Sequence, residues 1–125
     1  MSDLSKHGLN AQNIKWVELE KVPYYWAILQ ECLRMMPGMS QRSARIAPQE
    51  ELHYTSADGK LDWVIPRGTP IGMTSMINHW NTDFFPNPDE FTPERWLLAD
   101  GQPNYPLQKK LIAFGKGSRS CMGEK

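Results

Sequence analysis

The sequence has no excess of either charge, no long apolar run and only two cysteines. Fourteen Lys and Arg offset fourteen Asp and Glu. With no block of like charge, the basic footprint of a nucleic-acid-binding protein is missing. The longest uninterrupted apolar run covers residues 24–29, far short of the roughly 20 residues a membrane-crossing helix needs. Residues 1–13 lack the basic start and apolar stretch of a secretory leader, so the expected setting is reducing and intracellular. Cys32 and Cys121 form neither a CxxC pair nor a disulfide ladder, and no bridge between them is expected in that setting. Internal repeats and low-complexity segments are also missing.

What is present is proline, glycine and tryptophan: ten, nine and five residues among 125. Prolines remove backbone donors and interrupt helices and strands, so much of the chain is expected to be ordered loop. A chain of this length can bury about two-thirds of its unfolded surface. Residues 1–15 read as a polar lead-in, and residues 16–125 as one partial domain. Pro23 suits a first helical turn, Leu29, Leu33 and Met36 recur at helical spacing, and Pro37-Gly38 stops the run. One long helix is expected over residues 23–36. Glu31 and Arg34 share a face of it; taken alone they read as a surface ion pair of little energetic weight.

Beyond the helix, a strand ending at Tyr54, a turn at residues 57–60 and a second strand over residues 63–65 predict a hairpin. The stretch from Thr69 to Trp80 suits a further strand running into a short helical turn. Pro86, Pro88 and Pro93 exclude an intact strand or long helix across residues 84–97, and residues 98–113 read as another irregular stretch.

The chain closes on FGKGSRSCMGEK, a thiol among glycines and positive charges. A phosphate loop is excluded by spacing: with Gly115-Lys116 as its GK pair, Lys110 stands where the first glycine belongs. A dinucleotide GxGxxG fails because Ser120 takes the third glycine. Zinc is set aside because Cys32, Cys121, His7, His53 and His79 are scattered without ligand spacing. A reactive or ligating thiolate remains, with glycines letting backbone bend around the sulfur, amide hydrogens directed at it, and Arg119 favouring negative charge.

Phe114, Gly117, Arg119, Cys121 and Gly123 fill every fixed position of Phe-x-x-Gly-x-Arg-x-Cys-x-Gly, and the segment resembles the haem loop of cytochromes P450. A chance match in a chain this long is on the order of one in 100,000. Glu31-Cys32-Leu33-Arg34 resembles the family's Glu-x-x-Arg helix, and Pro93-Glu94-Arg95-Trp96 its Pro-Glu-Arg-aromatic segment. The resemblance runs from about Trp16 to the end and is greatest to filamentous-fungal enzymes of specialised metabolism. It implies an α+β fragment of the mainly-α cytochrome P450 fold: one long helix, a small antiparallel sheet, a proline-rich meander and a cysteine haem loop.

The resemblance further implies that Cys121 is the axial thiolate on the iron of haem b, with Phe114 packed beside it and Gly117 and Gly123 leaving room for turn and haem edge. Arg119, and Arg45 or its neighbour Arg42, would pair with haem propionates. His79 matches a family histidine, but Trp80 replaces the basic residue that usually follows, which weakens any haem contact there. Glu31, Arg34 and Arg95 would form a buried structural triad, which displaces the surface-pair reading, and Cys32 is expected to be a packed thiol.

The implied activity is that of a haem-thiolate monooxygenase, oxygenating an apolar small molecule with electrons from an NADPH-dependent reductase. Family enzymes are several times longer, and full-length relatives are usually anchored to the endoplasmic-reticulum membrane. The upstream oxygen-activating helix and distal pocket are not in these 125 residues. The alternative is a truncated or degenerate, non-catalytic fragment with at most weak haem binding; isomerisation or dehydration on the same haem is a third reading.

Overall fold

A computed structural model of the chain describes residues 14–124 except Met39 and Ser43, with Glu124 described by its backbone alone. The expected lead-in lies, through residue 13, outside the described residues. The chain divides into two compact units, Met1–Ser40 with Ser75–Lys125, and Gln41–Thr74.

The first unit is built on helices. A short α1 (Trp16–Leu19) begins where Glu18 reaches back to the backbone N–H of Lys15 at 3.2 Å. The main helix, α2 (Pro23–Met35), starts on Pro23, whose missing N–H costs nothing in a first turn. It ends one residue before the sequence-based limit: Met36 leaves the helical region at φ −128° and ψ 64°, as a residue preceding proline tends to do. The face that α2 buries is not its apolar stripe. Ala27, Gln30, Glu31 and Arg34 are buried at helical spacing, whereas Leu29 and Leu33 are half-buried and Met36 is 81% exposed.

Against that face lies the proline-rich stretch. Asn81 caps a turn by accepting from the N–H groups of Phe84 and Phe85, and Asn87 takes φ +48° between two prolines, a conformation asparagine tolerates better than most residues. The chain then enters a single 3-10 turn, Pro93–Trp96. Ala27, Phe85 and Trp96 form the core cluster, with Trp26, Phe84, Leu97, Leu107 and Leu111 packed on it, and the Phe85 and Trp96 ring centroids are 5.6 Å apart. Two further short helices complete the unit: α3 (Ser75–His79) and α4 (Tyr105–Gln108). The latter lies in a stretch expected to be irregular. Asn104 makes it possible by accepting from the N–H of Leu107 at 3.2 Å, with Pro106 in the first turn.

The second unit carries strands. β1 (Arg45–Ile46) and β4 (Pro70–Ile71) pair antiparallel, Arg45 opposite Ile71. β2 (Leu52–Thr55) and β3 (Asp62–Ile65) form the expected hairpin, Leu52 opposite Ile65 and Thr55 opposite Asp62. Gly59 supplies the left-handed residue of its turn, φ +69°. The single small sheet expected from sequence is therefore two separate strand pairs. No described residue of this unit is buried, so neither pair has an apolar face covered tightly enough to draw the two into one sheet.

Candidate functional site: a buried carboxylate and an exposed thiol

The helical unit places two chemically distinct groups: a buried carboxylate that ties the elements together, and a thiol on an exposed segment. The Glu31 carboxylate is fully buried. Its Oε2 accepts from Arg34 Nε at 2.8 Å and Trp96 Nε1 at 2.8 Å; its Oε1 accepts from Arg34 Nη2 at 2.8 Å, the Thr92 N–H at 3.0 Å and Arg95 Nε at 3.2 Å. Burial alone would raise its pKa. The hydrogen bonds from Arg34, Thr92 and Trp96, with the charge of Arg34, outweigh that and hold the carboxyl below its ordinary value of 4.5.

Both guanidinium groups also donate to backbone. Arg34 Nη1 reaches the carbonyls of His79 at 3.1 Å and Pro88 at 2.6 Å, and Arg95 Nη1 reaches that of Pro86 at 2.7 Å. One carboxylate and two arginines thus join α2, the end of α3, the proline-rich stretch and the 3-10 turn. The identity of Trp96 as a fourth member escapes spacing rules, although its place beside Arg95 in a one-turn 3-10 segment brings both side chains within reach of one acceptor. Tyr24 of α2 adds a surface tie by donating to Glu94 at 2.9 Å.

Like Glu31 and Arg34, His79 is fully buried, and its ring has partners on two sides. Its Nδ1 lies 3.1 Å from the Arg34 carbonyl, and its Nε2 accepts from the Ile112 N–H at 3.0 Å. Burial, aided by the nearby Arg34 charge, lowers its pKa below the ordinary 6.5 despite the bond to the Arg34 carbonyl. The neighbouring Asn78 amide donates to the Lys110 carbonyl.

The thiol segment follows directly. Gly115 and Gly117 take φ +73° and +75°, a 3-10 turn spans Gly117–Arg119, and the Cys121 N–H closes the segment on the Phe114 carbonyl at 2.8 Å. The amides of Gly115, Ser120 and Cys121 are used on the carbonyls of Ile112, Gly117 and Phe114. These three amides therefore do not donate to Cys121 Sγ. Cys121 is exposed and free. Gly123 stands beside it: a Cβ there would lie 3.7 Å from Sγ.

Phe114 is 37% exposed, so it is not a core side chain. Arg119 is exposed and its guanidinium has no partner among the described residues. A cavity of about 610 Å³ runs between α2 and this segment, lined by Gln30, Leu33, Phe114, Gly115 and Gly117 among others. Cys121 does not line it. Arg45 belongs to the strand unit, where its guanidinium donates to the Ala44 carbonyl at 3.2 Å; Arg42 is exposed. Cys32 is exposed and free, contrary to the packed thiol expected beside Glu31. Adjacent helical residues point about 100° apart, so the burial of Glu31 leaves Cys32 on the outer face.

The cytochrome P450 family model matches residues 5–125. Among curated proteins, the chain is 40% identical over 109 residues to the cytochrome P450 monooxygenase claJ of Penicillium crustosum, covering 87% of this chain and 23% of that protein. It is 42% identical over 108 residues to the fusicoccadiene C-8 hydroxylase of Phomopsis amygdali, covering 86% and 19%. It is 43% identical over 121 residues to the cytochrome P450 monooxygenase ppzE of Metarhizium majus, covering 87% and 25%. The chain spans between about a fifth and a quarter of the length of these relatives. No helix among the described residues is long and apolar enough to cross a membrane. Nearly the whole sequence is thus accounted for by one family: this chain belongs to the cytochromes P450.

Proposed function

We propose that the chain is part of a haem-thiolate monooxygenase in which Cys121 is the axial thiolate on haem iron. The observation that carries this reading is the free, exposed Cys121 thiol, held on a segment bent by two left-handed glycines and closed by its own N–H on Phe114. The donor set fits the group. Cys121 offers a soft ligand with no competing hydrogen bond among the described residues, Gly123 leaves the side of the sulfur without a methyl, and Arg119 has a guanidinium, unpaired among the described residues, for a propionate. Phe114 and Met122, 37% and 95% exposed, supply apolar surface for a macrocycle. When bound, haem supplies the oxidative chemistry, using dioxygen and two reductase-derived electrons to place one oxygen atom in an apolar substrate and the other in water.

The residues of this chain contribute ligation and rigidity. Cys121 would hold the iron and Arg119 a propionate, Arg45 is the second propionate candidate, and Glu31, Arg34 and Arg95 fix the elements from which the thiol segment departs. The partner is an NADPH-dependent reductase and the setting intracellular. The Phomopsis relative is named for hydroxylation of fusicoccadiene, in keeping with an apolar small-molecule substrate.

A second reading, a non-catalytic piece that binds haem weakly, is favoured by the size of the described apolar core: Val22, Ala27, Phe85 and Trp96 are its fully covered members. Titrating the 125-residue chain with haem, with Soret absorbance as the readout, tests ligation. Saturable binding that is lost in Cys121→Ser and kept in Cys32→Ser supports it, and equal binding by Cys121→Ser refutes it. Substrate oxidation with a reductase present then separates the enzyme from the non-catalytic piece.

A further inference from the structure

We propose that His79 is a positioning residue for the cysteine segment, whose neutral imidazole locks the root of that segment, Ile112, to helix α2. As a device for haem ligation this rests on the reading of Cys121 above; the lock itself does not.

The tautomer follows from the partners. The Ile112 N–H can only donate, so His79 Nε2 must accept, and the ring proton must sit on Nδ1, where it donates to the Arg34 carbonyl. Arg34 returns a bond through Nη1 to the His79 carbonyl. The Asn78 amide meanwhile holds the Lys110 carbonyl, so successive residues of α3 grip alternate residues of the stretch that leads into the thiol segment. From Ile112 onward the backbone is tied in two short steps. The Ile112 carbonyl accepts from Gly115 at 3.0 Å, and the Phe114 carbonyl accepts from Cys121 at 2.8 Å. A relay of hydrogen bonds therefore runs from the Glu31 carboxylate through Arg34 and His79 to Ile112, one short turn from the residues that place Cys121.

Only the neutral ring can make this lock. A second proton would set an Nε2–H against the Ile112 N–H and add a charge beside a buried arginine. The charge acting on the ring is cationic, that of Arg34 of α2; the ammonium of Lys110, whose carbonyl Asn78 holds, lies instead 4.7 Å over the Phe84 ring. From the proline-rich stretch the ring meets Phe85 edge-on at 6.4 Å. No described carboxylate bonds to His79; Glu31, the nearest anion in the relay, is already committed to Arg34, Arg95, Thr92 and Trp96. Lowering the pH through the His79 pKa therefore releases Ile112 by a step separate from titration of the carboxylate cluster.

The test uses the 125-residue chain labelled with ¹⁵N, with three readouts: amide exchange at Ile112, Cys121 and Thr92, the trans-hydrogen-bond ¹⁵N–¹⁵N coupling between Ile112 and His79 Nε2, and haem affinity. His79→Gln keeps an acceptor and a donor without a titrating ring; His79→Phe keeps bulk and loses both. In the wild-type chain the coupling is expected at neutral pH. Protection of Ile112 and Cys121 is expected to fall about tenfold for each pH unit below the His79 pKa, while Thr92, bonded to Glu31, stays protected. His79→Gln should keep Ile112 protected without that pH dependence and restore the haem affinity that His79→Phe loses. The proposal is overturned if the protection factors of Ile112 and Cys121, corrected for the intrinsic pH dependence of amide exchange, do not change with pH, or if Thr92 loses protection in step with them. If His79→Phe does not fold, the wild-type pH series and His79→Gln still decide. The expected exchange pattern in a chain that binds no haem would refute the haem-thiolate reading and leave the lock standing.

Discussion

Replacing Glu31 by glutamine changes one atom of the buried cluster and should remove much of the stability of the helical unit. The carboxylate accepts five hydrogen bonds. If the amide nitrogen takes the Oε2 side, it faces the donors Arg34 Nε and Trp96 Nε1; on the Oε1 side it faces Arg34 Nη2, the Thr92 N–H and Arg95 Nε. At least two donors are orphaned either way, at about 1–3 kcal/mol each. Loss of the carboxylate that, among the described residues, alone pairs with Arg34 and Arg95 falls in the same range as other broken buried ion pairs, about 3–5 kcal/mol. These are two views of one loss and are not added. Against a total stability of about 5–15 kcal/mol for a domain of this size, Glu31→Gln should leave the chain marginally folded.

Urea unfolding followed by tryptophan emission reads this directly. Trp96 is fully buried and donates to the same carboxylate, whereas Trp16, Trp63 and Trp80 are exposed. With a denaturant dependence of about 2 kcal/mol per molar urea, the midpoint should fall by roughly 1.5–2.5 M. Glu94→Gln is the control: Glu94 accepts from Tyr24 at the surface, and its midpoint should move by no more than about 0.5 M. If the two variants shift equally, the account of Glu31 as the tie between α2 and the 3-10 turn is wrong.

Acid should destabilise the chain in two stages. His79 has a folded pKa below its ordinary 6.5, so the unfolded chain binds its proton first; its contribution is complete above pH 6.5 and is lost as pH falls through the lower folded value. Glu31, held below 4.5, contributes fully above that pH and loses its share as pH falls through its own folded pKa. Urea midpoints across pH should show the first stage abolished by His79→Gln; its persistence there would assign it to another group. At Gly117, φ +75° with open space at the Cβ position makes Gly117→Ala a purely conformational penalty, about 1–2 kcal/mol, measurable as a lowered urea midpoint. Gly123→Ala meets only an ordinary contact, 3.7 Å to Cys121 Sγ. It should change the stability of the haem-free chain by less than about 0.5 kcal/mol yet weaken haem binding in titration by crowding the sulfur.

The parts legible in sequence were those with local causes. Pro23 and Pro37 bound α2, and the glycine turn at residue 59 sets the hairpin register. The cysteine segment could be picked out from five residues within ten positions. Features that depend on distant partners were not legible. The pairing of Arg45 with Ile71 joins strands of two residues each, too short to carry a periodic signal. The buried face of α2 was hidden from residue spacing for a different reason, and only the family resemblance implied a buried Glu31, Arg34 and Arg95 triad. It holds Gln30, Glu31 and Arg34, and polar residues at helical spacing read as a solvated face until Trp96, Thr92 and Arg95 arrive from sixty residues downstream. His79 could be read only as an isolated histidine that matches a family position, because its bond to the Ile112 amide uses a donor that any residue but proline would provide.

The central claim is that Cys121 ligates haem iron through sulfur. The most direct measurement is the absorption spectrum of the haem-loaded 125-residue chain after reduction and exposure to carbon monoxide, compared with Cys121→Ser and Cys32→Ser. A strongly red-shifted Soret band is expected for the wild type and Cys32→Ser, because a thiolate donates electron density to the iron, and it should vanish in Cys121→Ser. A haem-loaded chain whose Soret band lacks that shift, or keeps it when Cys121 is serine, would contradict the account.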